Sequence, residues 1–303
     1  MNSYHKTLLR YPGGKSRAYK IISNKIPKLP YPDKIVSPFL GGGSMEARWA
    51  GEWNVPTYGF DIFEHLVNYW NVLLNHPTDL ADAVQQLGFT KDEYYAGAER
   101  IKKSPMTQKI FLGVEDKYPK YVLPEDEWVE LDEITEAALY FQSMALSFGP
   151  AFLGHWVELN ANVDMWMKYV HRIRNYKNPD LHVGLRSFEQ VIPDFPDALI
   201  YLDPPYYLDQ DGGNKMGLNA DGSGRGLYPA MGMSVHHDYF DHELMRDQLH
   251  NHKGPFILSY NDCPTIREWY KDFQQEFPVW HYSFNKGQEK ESHEILILKD
   301  VDY

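Results

Sequence analysis

The chain is poor in cysteine, in long apolar runs and in positive charge. Cys263 is the only cysteine among 303 residues, which rules out a disulfide framework and argues against a cysteine-based zinc site. No stretch approaches the ~18 apolar residues of a membrane span, and the opening Met1-Asn2-Ser3-Tyr4-His5-Lys6 has no signal-peptide core. A reducing, cytoplasmic setting is expected. The net charge of −12 argues against a general polyanion binder, so any phosphate contact must come from local basic patches. Two nucleotide signatures are also missing. Gly14-Lys15-Ser16 resembles the end of a phosphate loop, but Leu9 stands where that motif needs glycine, and the Gly41-Gly42-Gly43 triplet does not have G-x-G-x-x-G spacing. His236, His237, Asp238 and His242 follow no metal-ligand spacing, so no metal is expected.

The sequence is rich in apolar and aromatic residues, 43% and 15%, enough for a folded chain with a sizeable core. Ala198-Leu199-Ile200-Tyr201-Leu202 reads as a buried strand, and Asp203-Pro204-Pro205 stops it, followed by Tyr206 and Tyr207. In an open α/β sheet, ligands sit beyond the carboxyl ends of strands. Prolines there leave carbonyl acceptors without competing N–H donors, and a tyrosine ring beside them suits a flat base bearing an amino group. The alternative is a plain strand-ending turn with both tyrosines packed.

Taken in order, Tyr11-Pro12-Gly13-Gly14-Lys15 offers a turn that lets backbone approach a ligand, with Lys15 as a cation. Lys34–Ser37 reads as a strand, Pro38–Ser44 as a glycine turn, and the stretch through Glu46, Trp49 and Ala50 as a helix. Thr57–Ile62 is a second strand, with Asp61 near its end. A glycine turn, a helix N-terminus and then an acid at the next strand end is the logic of a nucleotide site. From Asp79 to Lys177 the pattern turns helical, with helices expected at 79–88, 91–103 and 127–148. The last carries Ile134, Ala138, Phe141, Ala145 and Phe148 on one core-facing stripe. Strands are expected at 181–185 and 255–260, helices at 241–250 and 265–276, and a closing hairpin from 280–285 and 294–298. Leu208–His237 holds seven glycines and is expected to act as a mobile lid, with Tyr228 packing on the substrate. Basic residues cluster in 1–34, including Arg10, and again at Lys168, Arg172, Arg174 and Lys177.

These motifs resemble the Dam-like N6-adenine DNA methyltransferases, in the family's order. Tyr11-Pro12-Gly13-Gly14-Lys15 is similar to its aromatic-x-Gly-Gly-Lys element and Pro38-Phe39-Leu40-Gly41-Gly42-Gly43-Ser44 to its cofactor loop. Asp61 falls at its ribose-binding acid and Ser187-Phe188 at its adenine-packing segment. Asp203-Pro204-Pro205-Tyr206 matches its catalytic tetrapeptide unchanged, and Leu258–Asp262 with Arg267–Tyr270 resembles its downstream region. Ser37 departs from the family's usual glutamate. Phe148-Gly149-Pro150 stands near its recognition loop without that loop's asparagines and arginine, so the target sequence does not carry over.

The resemblance implies an α/β fold, with a Rossmann-like methyltransferase sheet, a C-terminal antiparallel hairpin and an inserted, mainly helical domain. It implies a discontinuous catalytic domain, 1–78 and 178–303, around a target-recognition insert at 79–177. The implied reaction moves a methyl group from S-adenosyl-L-methionine to N6 of a flipped adenine in a specific double-stranded DNA sequence. Asp203, Pro204, Pro205 and Tyr206 would be catalytic. Tyr11, Lys15, Pro38, Phe39, Gly41, Gly43, Asp61, Phe188 and Asp203 would hold the cofactor. Arg10, Lys168, Arg172, Arg174, Lys177 and Tyr228 would meet DNA. Asp203 is expected at an ordinary carboxyl pKa of ~4. A bacterial protein, or a viral one acting in its host's cytoplasm, is implied; a restriction partner is compatible and the oligomeric state is open. Other readings are a methyltransferase for another amino group, such as RNA adenine or protein glutamine, or a catalytically silent DNA-binding paralogue.

Overall fold

A computed structural model describes residues 5–28, 31–113, 115, 119–207, 240–279, 281–285, 288–291 and 294–301. The expected lid at 208–237, with Tyr228, lies outside the described residues. The chain divides into two compact units. Described residues 14–62, 179–207 and 240–301 form a sheet unit; 5–13 and 63–178 form a helical unit.

The sheet unit opens with α1 (Tyr19–Ser23), β1 (Ile35–Ser37), α2 (Glu46–Trp53) and β2 (Thr57–Asp61). It resumes with β3 (Leu181–Leu185), α9 (Phe188–Asp194), β4 (Leu199–Leu202), α10 (His242–Asn251), β5 (Phe256–Asn261) and α11 (Pro264–Trp269). It closes with β6 (Gln274–Glu276), β7 (His281–Asn285), β8 (Gln288–Glu291) and β9 (Glu294–Lys299). Seven strands form one sheet in the order β3-β2-β1-β4-β5-β9-β6. The first five run parallel, and β9 is antiparallel to both β5 and β6.

Strand alternation explains why this sheet is covered on both sides. Val36, Ile200, Leu202, Phe256 and Leu258 face one apolar cluster with Phe188, Val191, Met245 and Leu249. Ile35, Leu199, Tyr201, Ile257, Leu296 and Leu298 face the other, with Ile22, Met45 and Trp49. Near-continuous apolar strands are what a doubly covered parallel sheet requires. The strand order reverses direction between β1 and β4, so the ligand crevice of this topology lies beyond their carboxyl ends. Ser37 and Asp203 stand at those two ends.

The helical unit contains α3 (Glu64–Asn75), α4 (Pro77–Leu87), α5 (Lys91–Lys102), α6 (Pro105–Leu112), α7 (Glu133–Leu146) and α8 (Val163–Arg174). Alpha-helix starts are set by side-chain caps: Thr90 and Glu93 form a reciprocal capping box on α5, Asp132 caps α7, and Asn162 caps α8. Helix α7 is the hub. Eleven of its 14 residues are buried, and Phe141 stacks on Tyr69 of α3 at 5.8 Å between centroids. That packing draws α3, which precedes residue 79, into the helical unit.

Several expected elements are corrected. The helix expected over 127–148 starts only at Glu133, because Asp132 accepts the Thr135 N–H at 2.9 Å and Trp128 is extended. It ends at Leu146, where Ser147 turns extended, so Phe148 leaves the core stripe and is 71% exposed. The helix expected over 265–276 stops at Trp269, since Gln274–Glu276 pairs with β9 as the sheet's edge. The closing hairpin is β7 with β8, whereas Glu294–Lys299 enters the main sheet beside β5.

Candidate active site

The carboxyl ends of β1, β2, β4 and β5 bring together residues from distant parts of the sequence. Asp203 follows β4 directly. Its Oδ1 accepts Lys15 Nζ at 2.7 Å, and the same ammonium donates to Tyr206 Oη at 3.0 Å. Lys15 is buried, on the turn that follows Gly13, whose φ of 75° lies in the left-handed region that glycine tolerates. A third partner is Glu294, at the head of β9, with Oε2 3.7 Å from Lys15 Nζ. Ser259 of β5 donates to that same Oε2 at 2.8 Å. Asn261 pairs with Glu294 across the two strands, which places Ser259 and Glu294 as diagonal neighbours.

Burial pushes the Asp203 carboxyl up to about 6, aided by the negative charge of Glu294 and opposed by Lys15. The expectation of an ordinary value is therefore corrected: removal from water outweighs the ammonium beside it. The group is still mostly ionised at pH 7 and is a stronger proton acceptor than a solvated carboxylate.

Ser37 explains itself through Glu46. Its hydroxyl donates to Glu46 Oε1 at 2.8 Å, and both are buried. Position 37 thus lies against a carboxylate from the first turn of α2, nine residues on. Burial pushes Glu46 up to about 7, with Asp203 adding repulsion. Neither Glu46 nor Glu294 stands out in the sequence. An acid in a helix's first turn is commonplace, and only the sheet register shows what an acid heading an apolar strand faces.

The glycine turn is tied to β2. Gly41 N–H donates to Asp61 Oδ2 at 3.0 Å, and Leu40 N–H to the Phe60 carbonyl at 2.8 Å. Gly41 and Gly43 have φ of 48° and 61°, the conformation that reserves these positions for glycine. Gly59 makes room for the turn from below, since a Cβ there would lie 2.5 Å from a Leu40 methyl. Pro38 is buried. Phe39 and Phe188 lie 5.8 Å apart, and Phe240 closes an aromatic trio at 4.9 Å from Phe188. Pro204 is buried and Pro205 half-buried. Tyr207 is a packing residue, edge-on to His242 and Trp269, and its carbonyl accepts from Asn261.

The remaining residues lie in the helical unit. Tyr11 is half-buried there. Arg10 donates to the Ala145 carbonyl at 3.2 Å, and Arg172 reaches the Lys6 carbonyl at 3.5 Å. Arg174 is paired with Asp82 at 2.5 Å, whereas Lys168 and Lys177 are exposed. Lys168, His171 and Arg172 line a shallow groove on α8 with Met165 and Met167. Among the described residues, no group of three or more histidine, cysteine or acidic side chains could hold a metal. No helix among them is long and apolar enough to cross a membrane.

The chain matches the D12 class N6 adenine-specific DNA methyltransferases over residues 11–146 and 167–284, which take in the segments from Tyr11 to Asp61 and from Ser187 to Tyr270 and leave out Phe148-Gly149-Pro150. It belongs to that family, and is a DNA methyltransferase that modifies adenine at N6. No individual curated protein matches the chain.

Proposed function

We propose that the sheet unit transfers a methyl group from S-adenosyl-L-methionine to N6 of an adenine flipped out of a specific double-stranded DNA sequence. The observation that carries this reading is Asp203, half-buried at the switch between β1 and β4, with the buried Glu46 as a second acid acting on it. Such a donor set suits a cationic ligand. The bonded Gly41 and Asp61 pair suits a nucleoside, whose ribose hydroxyls the Asp61 carboxylate would hold. Pro38, Phe39, Gly43 and Phe188 flank that pair, and Tyr11 and Lys15 complete the proposed cofactor set.

When bound, S-adenosyl-L-methionine supplies an electrophilic sulfonium methyl. The chain's own residues prepare the acceptor. An adenine amino group is a poor nucleophile because its lone pair delocalises into the ring. Asp203 accepts one of its N–H bonds and the Pro204 carbonyl the other, drawing the nitrogen toward tetrahedral geometry and freeing the lone pair. Asp203 takes the proton as the new C–N bond forms. Tyr206 stacks on the extruded base, Pro205 stiffens the turn, and positioning of the two reactants accounts for most of the rate, an effect worth ~7–11 kcal/mol in favourable cases.

Residues 79–177 are proposed as the target-recognition region. Lys168, Lys177 and the α8 groove supply phosphate contacts together with Arg10, Arg172 and Arg174. A restriction partner is compatible with a sequence-specific enzyme. Expression in a methylation-free host, followed by single-molecule sequencing of its plasmid, tests the reading. N6-methyladenine at one recurrent motif is expected, and unmodified adenine throughout would overturn it.

A further inference from the structure

Lys15 has two carboxylates in reach, and the chemistry above uses only Asp203. Glu294 Oε2 is 3.7 Å from Lys15 Nζ, and its position is fixed by Ser259 Oγ at 2.8 Å. Glu294 is 3% exposed and Ser259 fully buried. Burying one acid beside another is costly, and the strand residues that follow, Ile295–Leu298, are apolar, so the strand itself gives no reason for it. Meanwhile the 2.7 Å bond from Lys15 sets a positive charge on the oxygen that should meet the substrate amine. That charge weakens Asp203 as a proton acceptor and repels the positive charge that grows on N6 during transfer.

We propose that Glu294 is a positioning residue that draws Lys15 away from Asp203 when adenine enters, so that the ammonium passes from one carboxylate to the other. The inference rests on the assignment of Asp203 to the acceptor amine. Closing a 3.7 Å gap to hydrogen-bond length needs a movement on the order of 1 Å, within reach of a lysine side chain. No covalent bond is made or broken in the shift. Among the described residues, the charged and titratable groups coupled to Asp203 are Lys15, Glu294, Glu46 and Tyr201, of which Lys15 is the cation, and Tyr206 accepts from Lys15.

The test is Glu294→Gln, which keeps the shape and can still accept from Ser259. Donor affinity by calorimetry should stay within about threefold while kcat falls at least about tenfold. The acid limb of kcat/KM should move to lower pH, because Lys15 stays on Asp203 and a neighbouring negative charge is gone. Carbon-13 titration of Asp203 in the unloaded protein should shift in the same direction, whereas the nitrogen-15 signal of Lys15 Nζ should respond to added DNA in the wild-type protein and not in Glu294→Gln, a difference that loss of a nearby charge alone would not produce. Glu294→Asp should recover part of kcat. Should Glu294→Gln fail to fold, Ser259→Ala loosens Glu294 without removing charge and should lower kcat about threefold with the acid limb unmoved. Wild-type kcat and an unmoved acid limb in Glu294→Gln, or wild-type kcat in Ser259→Ala, would overturn the proposal. A wild-type enzyme that leaves DNA adenine unmethylated would overturn the assignment beneath it instead.

Discussion

Each unit buries a polar cluster, and the two clusters look alike as chemistry. In the helical unit, Thr107 Oγ1 lies 2.9 Å from His65 Nε2, His65 Nδ1 lies 3.2 Å from Glu136 Oε1, and Ser104 donates to Glu136 at 2.7 Å. Hydroxyl, imidazole and carboxylate in line is the arrangement of a nucleophile with its base. Yet His65, Ser104 and Thr107 are fully buried and Glu136 nearly so, and Phe63, Tyr140 and Phe152 pack on the imidazole. In the sheet unit the cluster stands at strand ends, with the Asp203 side chain 21% exposed and its pKa and that of Glu46 pushed up. Geometry alone does not make a site. Access and a place at the topological switch separate a reactive cluster from one that only holds helices together.

The comparison breaks most directly at its two carboxylates. Asp203→Ala should abolish methyl transfer, by about a thousandfold or more, while donor Kd stays within about tenfold. Tritiated-methyl transfer and calorimetry check this, and retention of more than a few per cent of turnover would remove Asp203 from the acceptor role. Glu136→Gln should act oppositely. Leaving a buried hydrogen-bond network partly unsatisfied typically costs ~1–3 kcal/mol, so Tm should fall by a few degrees while kcat, measured below Tm, is kept. Lost turnover at unchanged Tm would mean that the sealed cluster is catalytic after all.

Two further variants sharpen the contrast within the sheet unit. Asp61→Ala should raise donor Kd about ten- to a hundredfold through lost charge-assisted bonds, with turnover recovering at saturating donor. Unchanged affinity in calorimetry would take Asp61 out of the cofactor site. Glu46→Gln probes burial itself. Burial pushes the folded Glu46 carboxyl up to about 7 from the 4.5 of a solvated glutamate, so between those values the folded state holds a proton that the unfolded chain releases. Stability contributed by that proton is complete below about 4.5 and lost as pH rises through 7. The Gln variant should therefore gain Tm relative to wild type at pH 8 and not at pH 4.5, read by calorimetric melts. A constant difference across that range would show that Glu46 is not held protonated.

Much of the site is legible in the sequence because it is local. The Asp203 turn ends its own strand, Gly41 and Gly43 need left-handed backbone, and Asp61 ends β2 within bonding distance of the turn that precedes it. What is not legible depends on register between distant strands. Glu294 meets Lys15 only because β9 inserts antiparallel beside β5, and the apolar run of Ile295–Leu298 reads equally well as half of a closing hairpin. Glu46 meets Ser37 only once α2 folds back over β1. The helix expected over 127–148 starts late for a related reason, since the Asp132 cap, rather than apolar periodicity, sets its first turn at Glu133.

The central claim is adenine N6 methylation of duplex DNA by the Asp203 site, and product analysis tests it most directly. Purified protein would be incubated with methyl-labelled S-adenosyl-L-methionine and, in parallel, duplex DNA of mixed sequence, RNA and a protein lysate, with every product digested and resolved by mass spectrometry. The account predicts label in N6-methyldeoxyadenosine from the DNA alone, and none when Asp203→Ala replaces the wild-type protein. Label in RNA adenine or in glutamine instead, or equal label in DNA from both proteins, would contradict it.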